Sequence, residues 1–147
     1  MLLDPIQATR DGLRAELRFS TGADALFAYV SDLRNMEVWW PEHRVYRRVR
    51  GDGGVGSLYA WVFTVGVLPS VGFTRVTAHE PAKRFAYRVS AMGLPVHIAY
   101  RFEPDGDGTR ATFTLRTLLA RAPGFASTAV AMVTRAFERL DANVTPR

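Results

Sequence analysis

The 147-residue sequence contains no cysteine, one lysine and no long apolar run. The missing cysteines exclude disulfides, thiol nucleophiles and cysteine-ligated metal sites. Residues 1–10 include Asp4 and lack an apolar stretch, so we expect neither a signal peptide nor a transit peptide. Residues 58–73 are too short for a transmembrane segment and are interrupted by glycine and proline. We therefore expect a cytoplasmic protein.

Catalytic and metal-binding motifs are also missing. The histidines His43, His79 and His97 show no metal-ligand spacing, which predicts surface histidines and no metal site. Residues 51–56 are rich in glycine but lack the lysine and the following helix of a phosphate-binding loop, so they predict a hairpin turn. No serine lies in a nucleophile elbow. We expect no cofactor and can name no catalytic residue.

The composition is that of a folded globular protein, with 48% hydrophobic and 12% aromatic residues. The length fits a single domain covering residues 1–147. The net charge of +5 raises the question of an anionic partner. Most arginines, however, lie singly at alternate strand positions, which places them on the wet face of a sheet. The dense run at residues 44–50 favours a solvated edge, so we expect no specific nucleic acid partner.

Hydrophobic periodicity predicts an α+β fold. Apolar and polar residues alternate in seven segments, which predicts strands at residues 13–19, 44–50, 56–65, 72–79, 84–91, 95–103 and 109–118. Helices are predicted at residues 23–30 and 33–38, the second ending before Pro41, and at residues 123–143. The short links favour antiparallel pairing. The long C-terminal helix is the one element able to cover the apolar face of a curved sheet.

Three segments carry a family resemblance: FAYVSDLRNMEVWWPEH at residues 27–43, GDGGVGS at 51–57 and TRVTAHEPAKRF at 74–85. Together with the order of elements and the closing helix, they resemble the START/Bet v 1-like (SRPBCC) superfamily, in particular the bacterial polyketide cyclase/dehydrase and lipid-transport group. The resemblance implies a helix-grip fold, in which a seven-stranded sheet wraps around the last helix and encloses an apolar cavity. It carries no catalytic residue over to this chain.

Side chains alternate between the two faces of a strand, and this alternation (strand parity) selects the residues that would line such a cavity. The set comprises Trp40, Tyr59, Trp61, Phe63, Phe85, Tyr87, Ile98, Tyr100, Phe113, Leu115 and Thr117 on the sheet side, with Thr128 and Met132 on the helix. A packed core explains any single ring, but several buried tyrosines and tryptophans need polar partners, which favours a cavity. We expect Trp40 at its mouth and Trp61 inside. On the strand at 72–79, Val76 and Ala78 are expected inward and Arg75 outward.

The run at residues 65–73 carries no charge and is predicted to be a loop that something covers. A lid over the cavity, a dimer contact and a membrane-touching tip are the alternatives. The outward residues Leu58, Ala60 and Val62 of the neighbouring strand are apolar too, which favours a homodimer.

Three functions stay open at this point. The sequence favours the binding or transport of an apolar small molecule, such as a lipid or a polyketide, with tyrosine hydroxyls and Thr117 fixing its polar end. The alternative is a polyketide cyclase, aromatase or dehydratase in which Tyr59, Tyr87 or Tyr100 donates a proton. A third is a protein- or ribosome-interaction module that uses the arginine face.

Overall fold

The computed structural model describes residues 1–40, 42–65, 67–91 and 93–145. The strands are β1 (Gln7–Ala8), β2 (Gly12–Phe19), β3 (Arg44–Arg50), β4 (Leu58–Val65), β5 (Leu68–Glu80), β6 (Arg84–Ala91), β7 (Leu94–Asp105) and β8 (Gly108–Thr117). They form one antiparallel sheet in the order β1-β2-β8-β7-β6-β5-β4-β3. The helices are α1 (Ala23–Ser31), α2 (Met36–Trp39) and α3 (Phe125–Val144), with 3₁₀ turns at Leu33–Asn35 and Leu118–Arg121.

Helix α3 packs along the inner face of the sheet, as a helix-grip fold requires. Its buried residues are Ala129, Val133, Ala136, Phe137 and Leu140. Near the C-terminal end of the helix, the ring of Phe137 lies 5.0 Å from that of Phe113 on β8. The hydroxyl of Thr21 donates a 2.6 Å hydrogen bond to the carbonyl of Val144. These contacts fix the C-terminal end of α3 against β8 and the start of α1.

The fold agrees with the predicted class but has an additional strand and a later start of the last helix. An eighth strand, β1, pairs with β2 but is only two residues long, too short to show a period in the sequence. Helix α3 begins at Phe125 and not at residue 123, because Gly124 has φ +78°, a conformation that a helix cannot contain. Pro41, on which the predicted end of the second helix rested, lies outside the described residues.

The prediction of a loop at residues 65–73 was wrong. Strand β5 begins at Leu68 and pairs with β4 through Thr64 opposite Pro69 and Val65 opposite Leu68. Proline and glycine within this segment suggested a turn, but Pro69 tolerates a strand position where no ladder hydrogen bond is needed from its nitrogen. Residues 62–65 and 68–73 therefore form a two-stranded extension, here called the apolar arm; Gly66 lies outside the described residues.

A bulge in β5 changes which side chains point inward. Val76 is buried and Arg75 is exposed, as predicted. After Val76 the register shifts, so that Ala78 pairs with Ala86 and lies on the outer face, against the prediction. His79 instead turns inward, and its ring lies 5.1 Å from that of Phe27.

Candidate ligand cavity

An apolar cavity of about 220 Å³ lies between the N-terminal half of α3 and the inner face of the sheet. Its wall is formed by Trp40, His43, Trp61, Val89, Ala91, Val96, Ile98, Leu115, Thr117, Leu119, Phe125, Ala129 and Met132. An adjoining groove of about 380 Å³ shares Leu119, Phe125, Ala129 and Met132 with it and runs along residues 122–128. The cavity thus opens beside the first turn of α3.

Side-chain size along α3 explains why the cavity lies at this end. At the C-terminal end, Phe137 and Leu140 fill the space under the helix, and Phe137 packs on Phe113. At the N-terminal end the inward position is Ala129, whose methyl group leaves the space open. One face of the sheet therefore carries a packed core at one end and a cavity at the other.

Trp61 forms the firmest part of the cavity wall. Its indole Nε1 donates a 3.0 Å hydrogen bond to Thr74 Oγ1 on β5, and the same Thr74 hydroxyl is hydrogen-bonded to Tyr46. The Tyr46 ring lies parallel to the indole, with centroids 6.0 Å apart. A Cβ atom added to Gly72 would lie 2.4 Å from the indole Cζ2, so the ring rests directly on the glycine backbone.

His43 lies among the rings of this wall. Its imidazole stacks on Trp61 at a centroid distance of 4.0 Å and on Trp40 at 5.5 Å. Its Nδ1 is buried and has no hydrogen-bond partner among the described residues. Burial lowers the pKa of the His43 imidazole from 6.5 to about 3, because a charged ring would lose its hydration without a counter-charge. The expectation of a surface histidine was wrong here, and the imidazole is neutral at physiological pH.

The two neighbouring tryptophans differ in position, and Trp40 does not lie at a mouth as expected. Trp39 is 1% exposed and packs in the core, and Trp40 is 2% exposed and lines the cavity. Trp40 is therefore enclosed within the wall and not exposed at an opening. Its Nε1, like Nδ1 of His43, is buried without a hydrogen-bond partner among the described residues.

The proposed ligand-binding residues fall into two groups. Those on the cavity wall are Trp40, Trp61, Ile98, Leu115, Thr117 and Met132, and Thr128 lines the adjoining groove. Phe63 lies behind the wall, with its ring 5.2 Å from that of Trp61. Those absent from the lining and packed in the core are Tyr59, Phe85, Tyr87, Tyr100 and Phe113. The sequence analysis missed His43, Val89, Ala91, Val96, Leu119, Phe125 and Ala129 as wall residues.

The tyrosine hydroxyls do not face the cavity. Those of Tyr87 and Tyr100 are buried without a hydrogen-bond partner among the described residues, and burial raises the pKa of both. Tyr59 instead lines a separate polar cleft of about 420 Å³ between α1, β3 and the turn at residues 52–54. There Arg34 and Asp32 bind each other through two 2.8 Å hydrogen bonds, which lower the pKa of the Asp32 carboxyl. The polar groups on the cavity wall thus belong to Trp40, His43, Trp61 and Thr117, and those of Trp61 and Thr117 are already hydrogen-bonded.

Thr117 is already engaged by the backbone. Its hydroxyl donates to the carbonyl of Pro95 and accepts from the amide of Leu119, both at 3.3 Å. Among the described residues, no three or more histidine or acidic side chains are arranged to hold a metal ion. In the same part of the chain, no helix is both long and apolar enough to cross a bilayer.

Comparison with solved structures supports the architecture. Protein CV1439 from Chromobacterium violaceum superposes with a TM-score of 0.75 at 16% identity, covering 91% of this chain and 97% of that one. Ms6760 from Mycobacterium smegmatis gives 0.75 at 18% identity, covering 100% and 99%. Ara h 8.0201 gives 0.68 at 19% identity, covering 89% and 95%. These similarities establish the fold alone, and no curated protein matches the sequence significantly.

A family model provides the assignment that the individual structures cannot. The model described as polyketide cyclase/dehydrase and lipid transport matches residues 13–145, from the first long strand to the end of α3. This match spans both the sheet and the helix that enclose the cavity. The chain therefore belongs to the polyketide cyclase/dehydrase and lipid-transport family.

Proposed function

We propose that the protein binds an apolar small molecule in the cavity under the N-terminal half of α3. The observation that carries this proposal is the cavity of about 220 Å³, open at one end, with an almost entirely apolar wall. A dry apolar cavity of ~150 Å³ already binds benzene in another protein. The space here fits one or two rings or a comparable length of acyl chain, and the adjoining groove leaves room for a tail.

The wall also indicates how the ligand would be oriented. The stacked rings of Trp40, His43 and Trp61 offer flat surfaces for an unsaturated or aromatic group. The neutral imidazole of His43 accepts or donates a hydrogen bond without the desolvation cost of a charge. We propose that His43, in place of the tyrosines, meets the polar end of the ligand. The cytoplasmic location and the homodimer remain predictions.

Filling the cavity from the helix tests the proposal. Ala129→Leu places a larger apolar side chain into the space, and we expect at least tenfold weaker binding of the fluorescent probe 8-anilinonaphthalene-1-sulfonate. The free energy of unfolding should stay the same or rise by up to about 1 kcal/mol, because new apolar surface is buried. The matched control is Ala126→Leu, an exposed position on the same helix outside the lining. Equal probe affinity in the two variants would exclude this cavity as the binding site.

Native mass spectrometry identifies the natural ligand. Protein purified without detergent should carry a co-purifying small molecule, and Ala129→Leu should lose it while Ala126→Leu retains it. A folded wild-type protein that binds neither a cellular compound nor the fluorescent probe would contradict the proposed function.

Family membership keeps a cyclase or dehydratase as the second candidate. Proton transfer in the cavity would fall to His43, since the hydroxyls of Tyr87 and Tyr100 are buried without a partner. A pKa of about 3 makes this imidazole a weak base at neutral pH, which favours binding over catalysis. Turnover of a polyketide chain by the wild type that His43→Gln abolishes, with probe affinity unchanged, would reverse that preference.

A further inference from the structure

The outer face of the sheet carries basic side chains directly opposite one another. One row crosses four neighbouring strands, β5 to β8, and consists of Arg75, Arg88, His97 and Arg116. All four are exposed, and a further pair, Arg84 opposite Arg101, lies on the same face. Like charges directly opposite each other on neighbouring strands destabilise a sheet. The opposed pairs Arg75–Arg88 and Arg84–Arg101 therefore cost stability in the isolated protein, and the row Arg75, Arg88, His97 and Arg116 is here called the basic row.

Elsewhere on the same face, the sheet compensates for such a pair. Arg18 lies opposite Arg110, but Arg18 forms a 3.0 Å salt bridge with Asp105, and Arg110 lies opposite Glu103. Among the described residues, no arginine of the basic row has a carboxylate within salt-bridge distance. The positive charge without a nearby carboxylate is thus confined to the basic row on the outer face, where a negatively charged partner would neutralise it.

The apolar arm continues this part of the face. Val71 and Phe73 precede Arg75 on the same side of β5 and are 56% and 47% exposed. At the end of the arm, Val67 and Leu68 are 93% and 67% exposed. A large exposed apolar surface thus borders directly on the basic row.

We propose that the apolar arm and the basic row together dock on an anionic lipid bilayer. The arm would enter the boundary between headgroups and acyl chains, and the guanidinium groups would bind the lipid phosphates. A nucleic acid would complement the arginines but gain little from an arm without charge. A second copy of the chain would set basic row against basic row. Of these three partners, the anionic bilayer is the one that complements both halves of the surface.

The cavity lies on the opposite face of the sheet from this docking surface. Its wall residues Trp61 and Ala91 lie in register with Gly72, which is flanked by Val71 and Phe73 on the docking face. The docking itself goes beyond the proposed function and does not depend on it.

Vesicle sedimentation of the full-length protein tests the docking. We expect binding to vesicles of phosphatidylglycerol mixed with phosphatidylcholine, weak binding to phosphatidylcholine alone, and a decrease as salt is raised. The double variant R75Q/R88Q should bind about 25-fold more weakly, from roughly fivefold per basic residue. It should also fold, since it removes a repulsive pair. The control R110Q/R139Q removes the same charge outside the basic row and should change binding by less than about twofold.

The apolar half of the surface has its own variant. V67S/L68S keeps every charge and should weaken vesicle binding at least about tenfold. Equal vesicle affinity of wild type, R75Q/R88Q and R110Q/R139Q would overturn the proposal. So would a wild type that ignores anionic vesicles but binds a single-stranded RNA oligonucleotide, or one that sediments as a dimer through this face. Loss of probe binding by Ala129→Leu with vesicle binding intact would separate the cavity from the docking surface.

Discussion

Replacing Gly72 with alanine is expected to destabilise the protein by about 1–3 kcal/mol and to abolish binding in the cavity. The new Cβ would lie 2.4 Å from the Trp61 indole, closer than any van der Waals contact. The indole has no easy way to move, because it is hydrogen-bonded to Thr74 and stacked on His43 and Tyr46. Relief of the clash must displace the cavity wall itself.

Urea unfolding and titration with 8-anilinonaphthalene-1-sulfonate measure both effects of Gly72→Ala. Gly22→Ala serves as the control, because a Cβ there meets only the carbonyl oxygen of Asp107 at 3.9 Å, an ordinary contact. Because Gly22 is the N-cap of α1, where glycine is preferred to alanine, we expect this control to lower stability by about 0.5–1 kcal/mol and leave probe affinity unchanged. Wild-type stability and affinity in Gly72→Ala would show that Trp61 is free to move, contrary to the packing described.

Acidification from pH 6.5 to 4.5 is expected to reduce the free energy of unfolding by about 2–3 kcal/mol through His43 alone. Below pH 6.5 the unfolded chain takes up a proton at His43, whereas the folded protein excludes that proton until the pH approaches its pKa of about 3. The unfolded state therefore binds more protons throughout this window, and stability falls as the pH falls. Above pH 6.5 the imidazole is neutral in both states and the effect is absent.

The variant His43→Phe isolates this contribution. Phenylalanine keeps an aromatic ring between Trp40 and Trp61 but has no proton to gain, so the stability curve should flatten between pH 6.5 and 4.5. Urea unfolding at a series of pH values gives both curves, and staying above pH 4.5 avoids most carboxylate titration, including that of Asp32 and Asp52. An equal slope in wild type and variant would assign the acid sensitivity to other groups.

The strands were predictable because their two faces differ so clearly. In β2, Leu13, Ala15, Leu17 and Phe19 are all at most 2% exposed, as their alternation with polar residues predicts. The bulge in β5 was not predictable, since a one-residue insertion leaves no mark in a pattern of small and apolar residues. The bulge places Ala78 on the outer face, opposite to the prediction, and turns the side chain of His79 inward.

The cavity was harder to predict than the fold. Strand parity identifies the inner face but does not tell which end of that face the helix fills. Phe85, Tyr100 and Phe113 form one cross-strand row at the filled end, and Ile98 and Leu115 of the next row line the cavity. The helix holds the missing signal: Ala129 precedes Phe137 by eight residues, so the small side chain marks the open end. His43 was expected at the surface, because an isolated histidine in a connecting segment carries no periodic signal that places it on the cavity wall.

The pairing of β2 with β8 has a consequence for the synthesis of this protein. Residues 12–19 pair with residues 109–116. The first long strand therefore cannot pair until most of the chain has been synthesised. Contacts so distant in sequence slow folding, because a large loop must close before they form. Helix α3 follows β8 and supplies one wall of the cavity. On the ribosome, the ligand site is therefore among the last features of the nascent chain to be completed.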